Sequence, residues 1–146
     1  MTETGHTVRI ELPSVFEMID LVQALVDQLG RLLGFDEDTQ HWVSVAVRES
    51  VINAIKHGNR FDPLKRVEVD FTVTPAAAPT EISVRVRDHG DGFDPQALPD
   101  PLAPENLLKS NGRGIFFMRS FMDDVRIERA AGGGMEVRMA KRFHRS

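Results

Sequence analysis

The segment that decides the fold is Glu49-Ser50-Val51-Ile52-Asn53-Ala54, in which an acid and an amide stand four residues apart among apolar residues. Four residues of an α-helix turn through about 400°, so Glu49 and Asn53 lie on one helix face. Apolar residues occupy much of the circumference of the predicted helix, about Glu37 to His57, which places it inside the protein. The sequence therefore predicts a buried helix with a polar stripe that Lys56 and His57 extend.

Two predicted strands follow this helix and lead to a second acid. Residues 67–73 and 82–86 alternate apolar and polar side chains and are close enough to form a hairpin. Asp88 continues the apolar side of the second strand, so its carboxylate is expected to point inward, where it needs a partner. The amino group of adenine is one such partner, because an ionised Asp only accepts hydrogen bonds. A simple strand-ending Asp turn is the alternative. Gly90 and Gly92 permit close backbone approach.

A third motif, Asn111-Gly112-Arg113-Gly114, precedes a short apolar helix predicted from Ile115 to Met122. The unpaired N–H groups and the dipole at a helix start favour an anion, and a triphosphate is the natural candidate. Lys109, Arg113 or Arg119 would add positive charge. Residues 94–112 contain four prolines and show no period, which predicts a long loop that acts as a lid.

The remaining elements complete the predicted fold. A strand ends at Pro13, and a helix capped by Ser14 runs to near Gly34, while Asp36 or Asp38 caps the buried helix. Two further strands, residues 125–127 and 135–139, form a closing hairpin. The order β, α, α, β, β, lid, α, β, β predicts one α+β domain over residues 1–146. It is a two-layer α/β sandwich, with a mixed, mostly antiparallel sheet and helices on one face.

Composition excludes several classes of function. The formal charge of −4 and pI near 5.7 argue against a nucleic-acid partner, which requires clustered Lys and Arg. The absence of cysteine excludes disulfides and thiolate chemistry. The polar N-terminus is unlike a signal peptide, and no apolar run approaches the length of a membrane span. We expect a cytoplasmic protein that does not associate with membranes.

The polar stripe suggests phosphoryl chemistry. The amide oxygen of Asn53 suits Mg²⁺, which proteins usually hold with one or two groups plus substrate phosphates. Glu49 could accept a proton from an attacking hydroxyl group or water molecule near a bound γ-phosphate. Alternatively, Glu49 faces solvent and Asn53 makes a local hydrogen bond that bends the helix.

The three motifs together resemble the nucleotide-binding boxes of the GHKL ATPases, the superfamily with the Bergerat fold. The resemblance spans roughly residues 37–139. Two stretches, Glu49–Asn59 and Phe117–Val125, look most like the anti-sigma-factor serine kinases within that superfamily.

The resemblance implies ATP and Mg²⁺ as cofactors. It implies that Asn53 coordinates Mg²⁺, Glu49 is the base and Asp88 recognises adenine. Phosphate and lid contacts would come from Gly90, Gly92, Gly112 and Gly114. His57 lies within the first motif and is a candidate nucleotide contact, with packing or a surface role as the alternative. Such proteins phosphorylate a serine or threonine of a small antagonist domain and bind a sigma factor when free. The resemblance also suggests that this protein is a homodimer.

Two classes of function stay open from the sequence. The first is a Mg-ATP-dependent serine/threonine protein kinase that is also an anti-sigma factor. The second is a nucleotide-binding module that sequesters its partner without phosphotransfer. The second arises because Ser110-Asn111 stands where those kinases commonly carry a basic residue and a serine. A detached histidine-kinase catalytic domain is a third, weaker reading.

Overall fold

The computed structural model describes residues 5–90 and 118–144, which form two long helices, two shorter helical segments and a five-stranded sheet. In chain order the elements are β1 (His6–Pro13), α1 (Glu17–Leu33), α2 (Glu37–Asn53), a π-helical turn (Ala54–Gly58), β2 (Arg66–Thr74), β3 (Glu81–Arg87), β4 (Asp124–Arg129) and β5 (Met135–Arg142). Residues 118–121 are also helical, which is the part of the predicted short helix within the described ranges. The predicted lid, residues 94–112, lies outside them.

The sheet has the strand order β1-β2-β3-β5-β4, and every pair of neighbours is antiparallel. The predicted β2–β3 and β4–β5 hairpins are confirmed, and so is the α+β class. Within residues 5–90 and 118–144, no helix combines the length and the apolar character of a membrane span.

The core lies between the helices and one face of the sheet. Alternate apolar residues of β2 and β3 are buried, so each strand presents one apolar face to the core, while Asp70 is buried on the other face of β2. These residues form one cluster with the apolar faces of α1 and α2. The cluster includes Val22, Val26, Val43, Val47, Val51, Val67, Val69, Phe71, Ile82, Val84 and Val86.

The ends of α1 and α2 show which of the capping residues predicted from the sequence are correct. Asp36 caps α2, because its Oδ1 accepts a hydrogen bond from the backbone N–H of Thr39 at 2.7 Å. Gly34 ends α1 in the left-handed conformation, with φ of 73°. The predicted Ser14 cap is wrong. Its hydroxyl donates to the carbonyl oxygen of Lys65, and α1 begins after Phe16 without a side-chain cap.

The buried helix is longer than its α-helical part. It is α-helical to Asn53 and then continues as the π-helical turn, in which the N–H of Asn59 donates to the carbonyl oxygen of Ala54 at 2.8 Å. A π-turn adds one residue to the hydrogen-bonded ring and so shifts the phase of the following side chains. Lys56 and His57 are therefore exposed and do not extend the polar stripe as predicted.

Candidate functional site

Asp88 is the buried centre of the candidate site. It follows β3 directly and is 3% exposed, as the alternation in β3 predicts. Its Oδ1 accepts hydrogen bonds from the backbone N–H groups of Gly90 at 3.0 Å and Met135 at 3.1 Å. Burial raises the pKa of Asp88, and these two donors oppose the rise only in part. Within residues 5–90 and 118–144, every hydrogen bond to this carboxylate reaches Oδ1.

Three glycines allow neighbouring backbone segments to pack closely around Asp88. A Cβ on Gly58 would lie 2.1 Å from Oδ2 of Asp88, and a Cβ on Gly90 would lie 1.9 Å from the carbonyl oxygen of Gly58. Gly134, with φ of 80°, approaches the carbonyl oxygen of Asp88 in the same way, at 2.1 Å from its missing Cβ. The end of the buried helix, the Asp88 turn and the β4–β5 hairpin therefore meet at distances that no side chain would allow.

Asp88 and Asn53 line the same cavity, which the structure forms between the buried helix and the sheet. The other described lining residues are Ser50, Ala54, Val86, Met118, Ile127, Met135 and Val137. The wall is mostly apolar with few polar groups, which is the usual character of a site for a flat organic ring.

This cavity is small in the structure. Its volume is about 30 Å³, which is space for one water molecule and not for a purine. A nucleotide base can enter only if the wall moves, and the unbranched side chains of Met118 and Met135 are suited to such rearrangement. Ser50 contacts this part of the wall, because its hydroxyl donates to Sδ of Met118 at 3.0 Å.

Glu49 and Asn53 lie on α2, one turn apart, and both are partly buried. Burial raises the pKa of the Glu49 carboxyl group, and the charge of Arg48 opposes it. A carboxylate with a raised pKa is a better proton acceptor near neutral pH than an ordinary surface Glu. The two side chains can thus supply a base and a neutral oxygen ligand.

The donor set suits a metal ion that arrives with its nucleotide. No group of three or more His, Asp or Glu residues able to hold a metal occurs in the described ranges. A single amide oxygen beside a carboxylate matches Mg²⁺, which takes most of its ligands from phosphates and water. Asn53, with Glu49 nearby, fits that arrangement.

The predicted site residues are only partly brought together. Asn53, Asp88 and Gly90 meet around the end of the buried helix, whereas His57 is exposed and absent from the described cavity wall. The predictions for Gly92, Lys109, Gly112, Arg113 and Gly114 fall outside the described residues. The roles of all these residues stay predictions.

Sequence reasoning missed residues that shape the site. Gly58 and Gly134 both adjoin Asp88, and the sequence predicts neither contact. Ile127 and Val137 also line the cavity, and the alternation of apolar residues in the last two strands could have placed them there. Asn59, which contacts the Asp88 turn, carried no signal beyond its place in the motif.

A larger concavity of about 620 Å³ lies on the opposite face of the sheet. Three of its charged side chains, Arg9, Asp70 and Arg85, pair across neighbouring strands. Asp70 bonds Arg9 at 2.7 Å and Arg85 at 2.9 Å, and Arg85 also pairs with Glu136. These ion pairs join β1, β2, β3 and β5 on this face and stabilise the sheet.

The fold and site define a class of protein: an open antiparallel sheet backed by helices, with an acid and an amide around a small apolar cavity. The sequence profile of one family, the histidine kinase-like ATPase domain, matches residues 13–141. The chain belongs to this family, and membership implies ATP binding.

Relatives with assigned names cover nearly the whole chain. It is 26% identical to the serine-protein kinase RsbW of Bacillus licheniformis, over 99% of this chain and 91% of the relative. It is 24% identical to RsbW of Bacillus subtilis strain 168, over 90% of this chain and 84% of the relative.

A solved structure supports the fold. The crystal structure of the RsbU and RsbW domains of a Mycobacterium tuberculosis protein superimposes with a TM-score of 0.65 at 18% identity. The match covers 97% of this chain and 33% of that chain, so the present chain corresponds to about a third of the larger protein.

Proposed function

We propose that this protein is a Mg-ATP-dependent serine/threonine protein kinase and an anti-sigma factor in a partner-switching system. The observation that carries the proposal is the shared cavity of Asn53 and Asp88, with half-buried Glu49 one turn upstream. Membership of the ATPase family and the name serine-protein kinase, which the relatives bear, support the same activity.

Adenine recognition is assigned to Asp88. The backbone N–H groups of Gly90 and Met135 occupy Oδ1, so we assign Oδ2 as the acceptor for the 6-amino group of adenine. Because two backbone donors fix Oδ1, they also orient Oδ2, and no side-chain cation is needed for this. An ionised carboxylate accepts a stronger hydrogen bond than a neutral group does.

Phosphoryl transfer is assigned to α2. Asn53 would hold Mg²⁺, which neutralises charge on the triphosphate when bound. Glu49 takes the proton of the acceptor hydroxyl group, and its raised pKa suits that role. We propose that Gly92, Lys109, Gly112, Arg113 and Gly114 contact the phosphates and shape a lid over residues 94–112.

The proposed partners are proteins. The phosphoacceptor is a serine or threonine of a small antagonist domain, and the unphosphorylated antagonist competes with a sigma factor for this protein. We place the protein in the cytoplasm, where ATP and sigma factors are present, and we propose that it acts as a homodimer.

The first test measures transfer of label from γ-labelled ATP to a candidate antagonist domain by Glu49→Gln, with Glu37→Gln as the matched control. Both residues lie on α2, and Glu37 is exposed at its start. Loss of a positioned base lowers the rate by about 100-fold or more, while the control keeps the parent rate. Equal rates in both variants would remove Glu49 from the mechanism.

A comparison of the parent protein with Asn53→Ala tests the nucleotide site. ATP with Mg²⁺ at about 100 times its Kd raises the free energy of unfolding by about 2.7 kcal/mol. Asn53→Ala should lose the Mg-dependent part of this increase. If ATP gives no increase in the parent protein, the proposed function is wrong.

A second candidate function rests on Ser110-Asn111, the departure from the kinase pattern. In that case nucleotide binding regulates a module that sequesters its partner without chemistry. Stoichiometric retention of ATP without transfer to any antagonist domain would favour this function over the kinase.

A further inference from the structure

Asn59 is a buried amide placed between the helix that carries Asn53 and the turn that carries Asp88. It follows the π-helical turn directly, is 1% exposed and uses both ends of its side chain. Burying a side-chain amide costs free energy unless its N–H donors and its oxygen acceptor all have hydrogen-bond partners. Such a residue therefore depends on the exact positions of its neighbours.

The nitrogen of this amide attaches the helix end to the sheet. Nδ2 lies 2.8 Å from the Ser14 hydroxyl oxygen, 3.1 Å from the carbonyl oxygen of Arg66 and 3.2 Å from that of Lys65. These partners follow β1 or lie where β2 begins. Asn59 is therefore held in place from two strands.

The oxygen of the same amide reaches the nucleotide site. Oδ1 accepts a hydrogen bond from the backbone N–H of His89 at 2.8 Å, and His89 is the residue directly after Asp88. The His89 ring is held separately, with Nε2 3.1 Å from Oε2 of Glu68. The backbone of the Asp88 turn is thus anchored by an amide that the sheet itself fixes.

Close packing links the hydrogen bond between Asn59 and His89 to the position of the Asp88 carboxylate. The turn lies against the helix end so closely that Gly58 and Gly90 have no space for a side chain. If His89 loses its hydrogen bond to Asn59, the turn can move away from Gly58 only by carrying the Asp88 carboxylate with it. A displaced carboxylate still belongs to a folded protein but no longer meets adenine at hydrogen-bond distance.

We infer that Asn59 is a positioning residue that sets the preference for adenine by fixing the Asp88 turn against the helix end. The inference rests on the proposed function, because it requires Asp88 to accept the 6-amino group of ATP. It adds to that function a residue that touches no nucleotide atom and acts through the backbone of His89.

The test compares ATP with inosine triphosphate, which has an oxygen in place of the 6-amino group. Calorimetry gives the dissociation constants of both nucleotides for the parent, Asp88→Asn, Asn59→Ala and Ser14→Ala. Ser14→Ala is the matched control. It removes one partner of Nδ2 but leaves the contact between Oδ1 and His89.

The parent is expected to prefer ATP over inosine triphosphate by about tenfold or more, and Asp88→Asn should abolish the preference. Asn59→Ala should lower the preference by about threefold or more through weaker ATP binding, with little change for inosine triphosphate. Ser14→Ala should lower the melting temperature but keep the preference. If Asn59→Ala does not fold, Asn59→Ser provides the same comparison, since one hydroxyl cannot reach both the strand carbonyls and His89.

The outcomes separate the two proposals. A full preference for ATP in the Asn59 variant overturns the positioning role and leaves the proposed function intact. An equal loss in Asn59→Ala and Ser14→Ala also overturns it, because the effect is then general loosening. A parent that binds neither nucleotide, or binds both equally, contradicts the proposed function itself.

Discussion

Asp70 on β2 and Asp88, directly after the neighbouring strand β3, are two buried carboxylates, 6% and 3% exposed, whose surroundings differ in kind. Asp70 lies on the open face of the sheet between Arg9 and Arg85. Burial acts to raise its pKa, but the hydrogen bonds and charges of the two arginines outweigh it and hold the pKa below its usual range. Asp88 lies on the core side, where burial raises its pKa and the backbone N–H groups of Gly90 and Met135 oppose that rise only in part.

The difference indicates what each acid does. Two cations saturate the Asp70 carboxylate and leave little for a ligand to gain there. Among the described residues, the hydrogen bonds to Asp88 come from two neutral donors and reach one oxygen, and buried acids with a raised pKa are concentrated at functional sites. Side-chain cations thus distinguish an acid that stabilises the sheet from one that is available for recognition.

The largest effect in this comparison is expected for Asp88→Asn. The amide oxygen must stay opposite the N–H groups of Gly90 and Met135, so the amide nitrogen replaces Oδ2 and presents a donor to the amino group of adenine. ATP affinity should fall by about 10- to 100-fold, the usual value of a hydrogen bond to a charged group. Calorimetric titration measures it, and parent-like affinity would break the assignment.

A smaller effect of a different kind is expected for Asp70→Asn. The substitution leaves Arg85 paired with Glu136 but removes the charge that Arg9 and Arg85 share. The free energy of unfolding should fall by about 1–2 kcal/mol, while ATP affinity stays at the parent value. Urea unfolding and calorimetry test both parts. Reduced ATP affinity in this variant would remove the distinction between the two acids.

The smallest effect concerns pH. A carboxyl group with a lowered folded pKa, such as Asp70, adds stability above its unfolded pKa, and this is lost as pH falls through the folded value. Asp88 has a raised pKa, so its contribution is fully present below the unfolded pKa and is lost as pH rises through the folded value.

Unfolding in urea from about pH 3 to pH 7 separates these contributions. Without nucleotide, Asp70→Asn should weaken the loss of stability toward acid, and Asp88→Asn should strengthen it. Identical profiles for the two variants would contradict the opposite pKa shifts. The experiment needs no ligand and is independent of the proposed activity.

Features governed by local periodicity were predictable from the sequence. The alternation in β3 predicts an inward Asp88, helical spacing places Glu49 and Asn53 one turn apart, and Asp36 caps α2 as one of two predicted candidates. The family was predictable because three motifs in a fixed order carry more information than any one of them. The relatives' name, serine-protein kinase, agrees with the predicted activity.

Features that depend on distant partners were not predictable. Ser14 looks like a helix cap, but its hydroxyl group binds a carbonyl 51 residues away, so tertiary contact overrides the local signal. The π-helical turn after Asn53 changes hydrogen bonding without changing the apolar pattern. The partners of Asn59 lie between 6 and 45 residues away along the chain, and no spacing rule connects them.

The glycines around Asp88 have a consequence for how such a protein can diverge. Main-chain N–H groups hold Oδ1, and a backbone carbonyl of Gly58 abuts Gly90, so ordinary side-chain replacement at neighbouring positions cannot redirect these bonds. A Cβ at Gly90 or Gly134 would collide with backbone, and a Cβ at Gly58 would collide with the Asp88 side chain, so such variants would be eliminated. The accepted base should therefore stay constant among descendants of this chain while their exposed surfaces, and with them their protein partners, change.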